Sequence, residues 1–323
     1  MNRRGLLIRL GLLAGAVGGG WWFKDKVLWP TPRPVFDGGA TPWLGYRAPA
    51  VTPTIDVRVG GVPTVALIDT GAQYSVLDRA LHERLVADGR ERLNFPLPLL
   101  AYGVGGRPQV GRGAVVDVAM EGLALPGLRA AILDLGPIAD RERGLGAQLI
   151  LGQDALETMV LDVETAARRS RLSAPGALAL RPDARALPAR RAGGSLRLDV
   201  TLEGRTVEAL VDTGASSLLA LSRRSAEAAG LYDGRELTRG SSLVLGGQVG
   251  ADVARARTLG VGGRTFADAP VAIFGDVSAP GFPGALLGMA AFEGQAVRVD
   301  LAAAGLWTAE TPDLSLGRRR RRR

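Results

Sequence analysis

Apolar and polar residues alternate from Ile55 to Val59 and again from Leu198 to Leu202, the period of a strand with one face in a core and the other in water. Each run meets a glycine, Gly61 or Gly204, and resumes as a more uniformly apolar run. These second runs span Val65 to Ile68 and Val207 to Val211, with Glu208 the exception. The pattern predicts two β-hairpins whose second strands lie deeper in the core. Each second strand ends on the same four residues, Asp-Thr-Gly-Ala, at Asp69 to Ala72 and at Asp212 to Ala215.

The two hairpins are copies. With Asp56 set over Asp199, a shift of 143 positions, "IDVRVGGVPTVALIDTGA" overlies "LDVTLEGRTVEALVDTGA" without a gap. Short strands are then predicted over Ser75 to Leu77 and Leu218 to Leu221, each leading into a helix. Asp78 caps the first helix and Gly89 closes it; Ser222 and Gly230 do the same for the second. Farther on, "LILGQDALE" and "ALLGMAAFE" share an apolar pair, a glycine and a helical start, and each precedes a strand, Val160 to Val163 or Ala296 to Leu301. The chain carries 45 glycines and 19 prolines with few long helical patterns, which points to an all-β protein of short strands and tight turns. Two equivalent domains are expected, at 54–172 and 195–308, joined by a Pro-, Ala- and Arg-rich linker at 173–194.

The flanks read differently. Residues 24–53 hold prolines at 30, 32, 34, 42, 49 and 53, a spacing that prevents helix and suits an extended tether. Trp29 and Trp43 are candidates to pin it against the domain, and the same stretch is a candidate propeptide. Residues 1–23, "MNRRGLLIRLGLLAGAVGGGWWF", have the layout of an export segment or membrane anchor, basic and then apolar. Arg3-Arg4-Gly5-Leu6-Leu7 resembles the twin-arginine signal, with Ile8 where that pattern often has lysine. The resemblance implies a bacterial protein exported folded, periplasmic or held at the inner membrane facing the periplasm.

The formal net charge of +8 is a property of the termini. Arg3, Arg4, Arg9 and the run Arg318 to Arg323 account for it; without those nine, 31 basic residues face 32 acidic ones. A like-charge run is expected to be a solvated tail, here 309–323, and no specific nucleic-acid partner is expected.

Candidate chemistry is narrowed by elimination. The chain has no cysteine and one histidine, His82, expected to be a partly exposed helix residue. Neither a thiol nucleophile nor a usual zinc site can be assembled, and no cofactor is expected. Two carboxylates remain, Asp69 and Asp212, each ending a buried strand. A carboxylate there is costly unless it is hydrogen-bonded or shares a proton with another acid. If the two meet across a pseudo-twofold axis, one can act as base toward a water while the other donates to a carbonyl.

Leu67-Ile68-Asp69-Thr70-Gly71-Ala72 with Ile150-Leu151-Gly152, and Leu210-Val211-Asp212-Thr213-Gly214-Ala215 with Leu286-Leu287-Gly288, resemble the paired signatures of aspartic proteases. The alanine after Asp-Thr-Gly is closer to the retropepsin branch. The resemblance implies two retropepsin-like barrels forming a bilobal, single-chain pseudodimer that acts as a monomer on peptide or protein substrates. It implies that Asp69 and Asp212 hold the attacking water and that Thr70 and Thr213 cross-link their loops. Gly71 and Gly214 would let the backbones approach, Ala72 and Ala215 would complete the loops, and the apolar-apolar-Gly elements would pack behind them. Gly-rich turns, "YGVGGRPQ" with Gly103, Gly105 and Gly106 and "VLGGQVG" with Gly246 and Gly247, are candidate flaps, with ordinary hairpin turns as the other reading. Two further readings stand beside the endopeptidase: a non-catalytic peptide-binding module on the same barrels, and an enzyme that pairs repeats between two chains. Ser75 stands where the second repeat has Leu218, so the halves need not treat their acids alike.

Overall fold

The computed structural model describes residues 29–47, 50–90, 93–102, 108–142, 144–244, 247–276 and 283–311. The first half contains β1 (Val35–Phe36), β2 (Leu44–Gly45), β3 (Thr54–Val59), β4 (Val62–Ile68), β5 (Val76–Asp78), α1 (Arg79–Ala87), β6 (Leu93–Tyr102), β7 (Pro108–Met120), β8 (Leu123–Leu133), β9 (Ala147–Leu151), α2 (Gln153–Leu156), β10 (Val160–Glu164) and β11 (Arg169–Ser173). The second contains β12 (Arg185–Ala186), β13 (Arg190–Ala192), β14 (Ser195–Leu202), β15 (Arg205–Val211), β16 (Leu219–Ser222), α3 (Arg223–Ala228), β17 (Leu237–Val244), β18 (Gly247–Val261), β19 (Arg264–Phe274), β20 (Ala285–Leu287), β21 (Gln295–Asp300) and β22 (Gly305–Glu310).

The β3–β4 turn places Gly60 and Gly61 at φ 54° and 80°, and the β14–β15 turn places Glu203 and Gly204 at 51° and 77°. Positive φ at both central residues matches the right-handed twist of the paired strands, so these turns favour glycine. Glu203 tolerates its place because its carboxylate accepts from Arg235 at 3.0 Å and from the Arg257 N–H at 2.6 Å. Alternate residues of the outer strands, Ile55, Val57 and Val59, and Leu198, Val200 and Leu202, turn into the core, as their period requires.

Each half closes on itself. In the first, the ladder runs β8-β5-β9-β4-β3-β7 and closes where β7 pairs with β8; in the second, β19-β16-β20-β15-β14-β18 repeats it and closes where β18 pairs with β19. The fold is thus all-β, with two retropepsin-like domains. A third sheet, β12-β22-β21-β10-β11-β2, joins the halves through antiparallel β10 and β21. Within it Arg298 clamps Asp162 with Nε–Oδ1 and Nη2–Oδ2 distances of 2.7 and 3.0 Å.

The cap of α1 is Asp78, whose Oδ2 accepts from the Ala80 N–H, and that of α3 is Ser222, whose Oγ accepts from the Ser225 N–H. Several expectations are modified. His82 is a buried residue, because α1 turns it inward with Leu81 and Leu85. The helical start after Gly288 is a 3-10 turn, Met289–Phe292. Both stretches read as linkers carry strands: β1 pairs with β8, β2 with β11, β12 with β22 and β13 with β14. Trp43 lies between the guanidinium groups of Arg169 and Arg171, at 4.7 and 4.5 Å from its ring. The first residues of the expected tail, Ala309 and Glu310, belong instead to β22, where they pair with Ala296 and Gln295. The export segment and residues 312–323 lie outside the described residues, among which no helix is long and apolar enough to cross a membrane.

Candidate active site

β4 and β15 each end where a parallel neighbour, β9 or β20, ends beside them. Leu67 and Ile68 pair with Ile150 and Leu151, and Leu210 and Val211 with Leu286 and Leu287. One step beyond the ladder, the Asp69 N–H donates to the Leu151 carbonyl at 3.0 Å and the Asp212 N–H to that of Leu287 at 2.9 Å. Gly152 and Gly288 follow, at places that exclude a side chain. A Cβ on Gly152 would lie 2.6 Å from the Tyr74 carbonyl oxygen, and one on Gly288 would lie 2.2 Å from that of Ser217. The apolar-apolar-Gly elements therefore sit directly behind the two Asp-Thr-Gly turns.

The turns meet at the interface of the halves, where the two threonines exchange hydrogen bonds. The Thr70 N–H donates to Thr213 Oγ1 at 3.0 Å, and the Thr213 hydroxyl donates to the Ile68 carbonyl at 2.8 Å. In return the Thr213 N–H donates to Thr70 Oγ1 at 3.0 Å, and the Thr70 hydroxyl donates to the Val211 carbonyl at 2.7 Å. Both side chains are buried, and this exchange leaves none of those backbone groups unpaired. Four bonds thereby lock the two loops in one register.

Within each turn the carboxylate is gripped by its own loop. Asp69 Oδ1 accepts from the N–H groups of Gly71 (2.7 Å) and Ala72 (3.1 Å), and Asp212 Oδ1 accepts from those of Gly214 (2.9 Å) and Ala215 (3.1 Å). The two carboxyls lie close enough for each to perturb the other. Gly71 faces Asp212 and Gly214 faces Asp69; an added Cβ would lie 2.6 Å and 2.5 Å from the opposite carboxyl carbon. Only glycine permits this crossing.

Burial raises both acids above the usual carboxylate range, and Asp212 is raised further by the charge of Asp69 beside it. Each residue keeps part of its surface open. The arrangement can retain one proton between two oxygens and offer the other oxygens to a water.

All twelve loop and backing residues named from the sequence are brought together here. The flap candidates Gly103, Gly105, Gly106 and Gly246 lie outside the described residues; Gly247 opens β18. The arms of both hairpins are paired, Leu93 to Tyr102 with Pro108 to Val115 and Leu237 to Val244 with Gly247 to Ala254. The 3-10 turn Gly136–Ile138 of the first half packs against β17 and β18 of the second.

Sequence reasoning missed a polar cluster on the first half. Gln153 Nε2 donates to the Thr70 carbonyl at 2.7 Å and to Ser195 Oγ at 2.9 Å, bridging the halves. Asp154 Oδ1 accepts from the N–H and hydroxyl of Ser75 at 2.9 and 2.8 Å. The signal was present in "LILGQDALE", where two polar residues interrupt an element whose counterpart has Met289 and Ala290.

Among solved structures, a retropepsin-like aspartic protease from Rickettsia conorii is 22% identical over 39% of this chain and 90% of its own, with a TM-score of 0.31. Basic 7S globulin from soybean is 9% identical over 88% of this chain and 97% of its own, with a TM-score of 0.48. The protein edgp is 11% identical over 89% and 98%, with a TM-score of 0.49. No curated protein matches the chain. The family model described as aspartyl protease matches it twice, over residues 55–155 and 198–291, and each match contains one Asp-Thr-Gly turn and its backing glycine. With more than half of its length so matched, the chain belongs to the aspartyl protease family.

Proposed function

We propose that the protein is an aspartic endopeptidase that hydrolyses peptide bonds with a water held between Asp69 and Asp212. The observation that carries this reading is the approach of the two acids, each set against the glycine of the opposite Asp-Thr-Gly turn at a half-buried floor, supported by the threonine exchange beneath them. One carboxyl of the pair holds the shared proton and the other is the base. The base takes a proton from the water as the water oxygen bonds to the substrate carbonyl carbon, and the protonated partner gives its proton to the carbonyl oxygen. Collapse of the resulting diol breaks the C–N bond, with a proton delivered to the leaving nitrogen.

Thr70, Gly71 and Ala72, with Thr213, Gly214 and Ala215, position the acids; Ile150, Leu151 and Gly152, with Leu286, Leu287 and Gly288, back them. The hairpins β6–β7 and β17–β18 close over an extended peptide. Both repeats needed for the site come from one chain, so a monomer suffices. The basic and apolar first residues direct export and association with the inner membrane from the periplasmic side.

Asp69→Asn and Asp212→Asn are each expected to abolish cleavage of an unstructured protein while the fold persists by circular dichroism. Full activity in either variant would rule out the shared pair.

A further inference from the structure

A tryptophan from outside both repeats reaches the face on which Asp69 stands. Strand alternation puts Val65, Leu67 and Asp69 on one face of β4. The ladder sets Ile150 beside Leu67 and Val76 beside Ile150. These apolar residues form a floor distinct from the main core, and Trp29 packs into it with only 6% of its surface exposed. The indole meets the Tyr74 ring edge-on, with centroids 5.0 Å apart.

Trp29 is anchored as well as packed. Its Nε1–H donates to Asp154 Oδ2 at 2.7 Å. The other oxygen of Asp154 holds Ser75, and Ser75 Oγ accepts from the Gly152 N–H at 3.2 Å. One chain of contacts thus runs from the stretch before the first repeat to the glycine behind the Asp69 loop. Among the described residues the second half has no such anchor. Leu218 and Ala290 stand in the places of Ser75 and Asp154.

We infer that Trp29 is a specificity-determining residue: its indole forms a wall of the substrate subsite on the Asp69 side and restricts that subsite to small side chains. The cleft is then directional, because one half is narrowed by a residue that the other lacks. Asp154 and Ser75 are positioning residues that hold the indole. The inference rests on the peptide-cleaving reading above, but it concerns binding and can be tested without turnover.

The test uses the full chain and peptides whose scissile amide is replaced by a non-cleavable reduced bond, with alanine or phenylalanine at each flanking position. Binding is measured by calorimetry for the wild type and for Trp29→Ala. The wild type is expected to prefer alanine at one position by about tenfold, the discrimination a closed apolar pocket gives for one or two methylenes. Trp29→Ala should reverse the preference there and nowhere else. Added indole should restore it, since an apolar cavity of roughly 150 Å³ suffices to bind an aromatic ring.

An unchanged preference at every position, or failure of both proteins to bind any peptide, overturns the inference. Should Trp29→Ala not fold, Trp29→Leu carries the same comparison and should shift the preference in the same direction. A protein that binds the peptides but cuts no cleavable counterpart would remove the endopeptidase reading and leave the wall in place.

Discussion

Thr70→Val tests the physical basis of the site most directly, because valine matches threonine in shape and lacks only the hydroxyl. The substitution deletes two bonds across the interface of the halves, to the Val211 carbonyl at 2.7 Å and from the Thr213 N–H at 3.0 Å. Both backbone groups would be left buried without a partner, at about 1–3 kcal/mol each. The expected loss is therefore about 2–6 kcal/mol, a large part of the roughly 5–15 kcal/mol that holds a typical fold. In urea that corresponds to a midpoint lower by about 1 M or more, from slopes of about 1–3 kcal/mol/M. Activity should fall by about a hundredfold or more, the cost of a misplacement near 1 Å in a catalytic group. Thr70→Ser keeps the hydroxyl and should retain most of both. A valine variant within about 0.2 M of the wild-type midpoint and equally active would refute the reasoning, as would a serine variant as impaired as valine.

The raised carboxyls make stability depend on pH. Both acids ionise above the unfolded value of about 3.9, so the fold is favoured below that value and loses this contribution as pH rises through the folded range. Asp212→Asn carries no charge at any pH, so it should unfold at higher urea than the wild type at pH 7, with the gap closing below about pH 4. A gap that widens in acid would contradict the assignment. For the same reason the cleavage optimum should lie on the acid side of neutral; a rate still climbing in alkali would count against a shared proton. Gly214→Ala would set a methyl 2.5 Å from the Asp69 carboxyl carbon and should abolish cleavage by separating the acids, as measured on the same unstructured substrate. Ala215→Gly, which adds no atom, should remain active.

Much of the site was legible because its residues are local in sequence and written twice. The period-two runs set the strands, Gly60-Gly61 and Glu203-Gly204 set the hairpins, and the two Asp-Thr-Gly turns carry their own amides to each acid. The cluster of Gln153, Asp154 and Ser75 was harder to read, since its members lie 78 or 79 positions apart and occur in one copy only. Repetition could not flag them. The burial of His82 is likewise not a local property: which face of α1 turns inward depends on the sheet it packs against.

By itself the sequence determined the duplicated all-β architecture, the acids and the glycines that let them approach, because strand period, turn chemistry and the lack of cysteine act at short range. Tertiary structure alone decided which backbone groups the crossing threonines satisfy, that the stretch before the first repeat carries Trp29 to Asp154 and to the apolar floor around Leu67 and Ile150, and that the two halves differ there. Those outcomes depend on contacts between residues more than a hundred positions apart, such as Trp29 with Asp154 and Thr70 with Thr213, which no local pattern specifies.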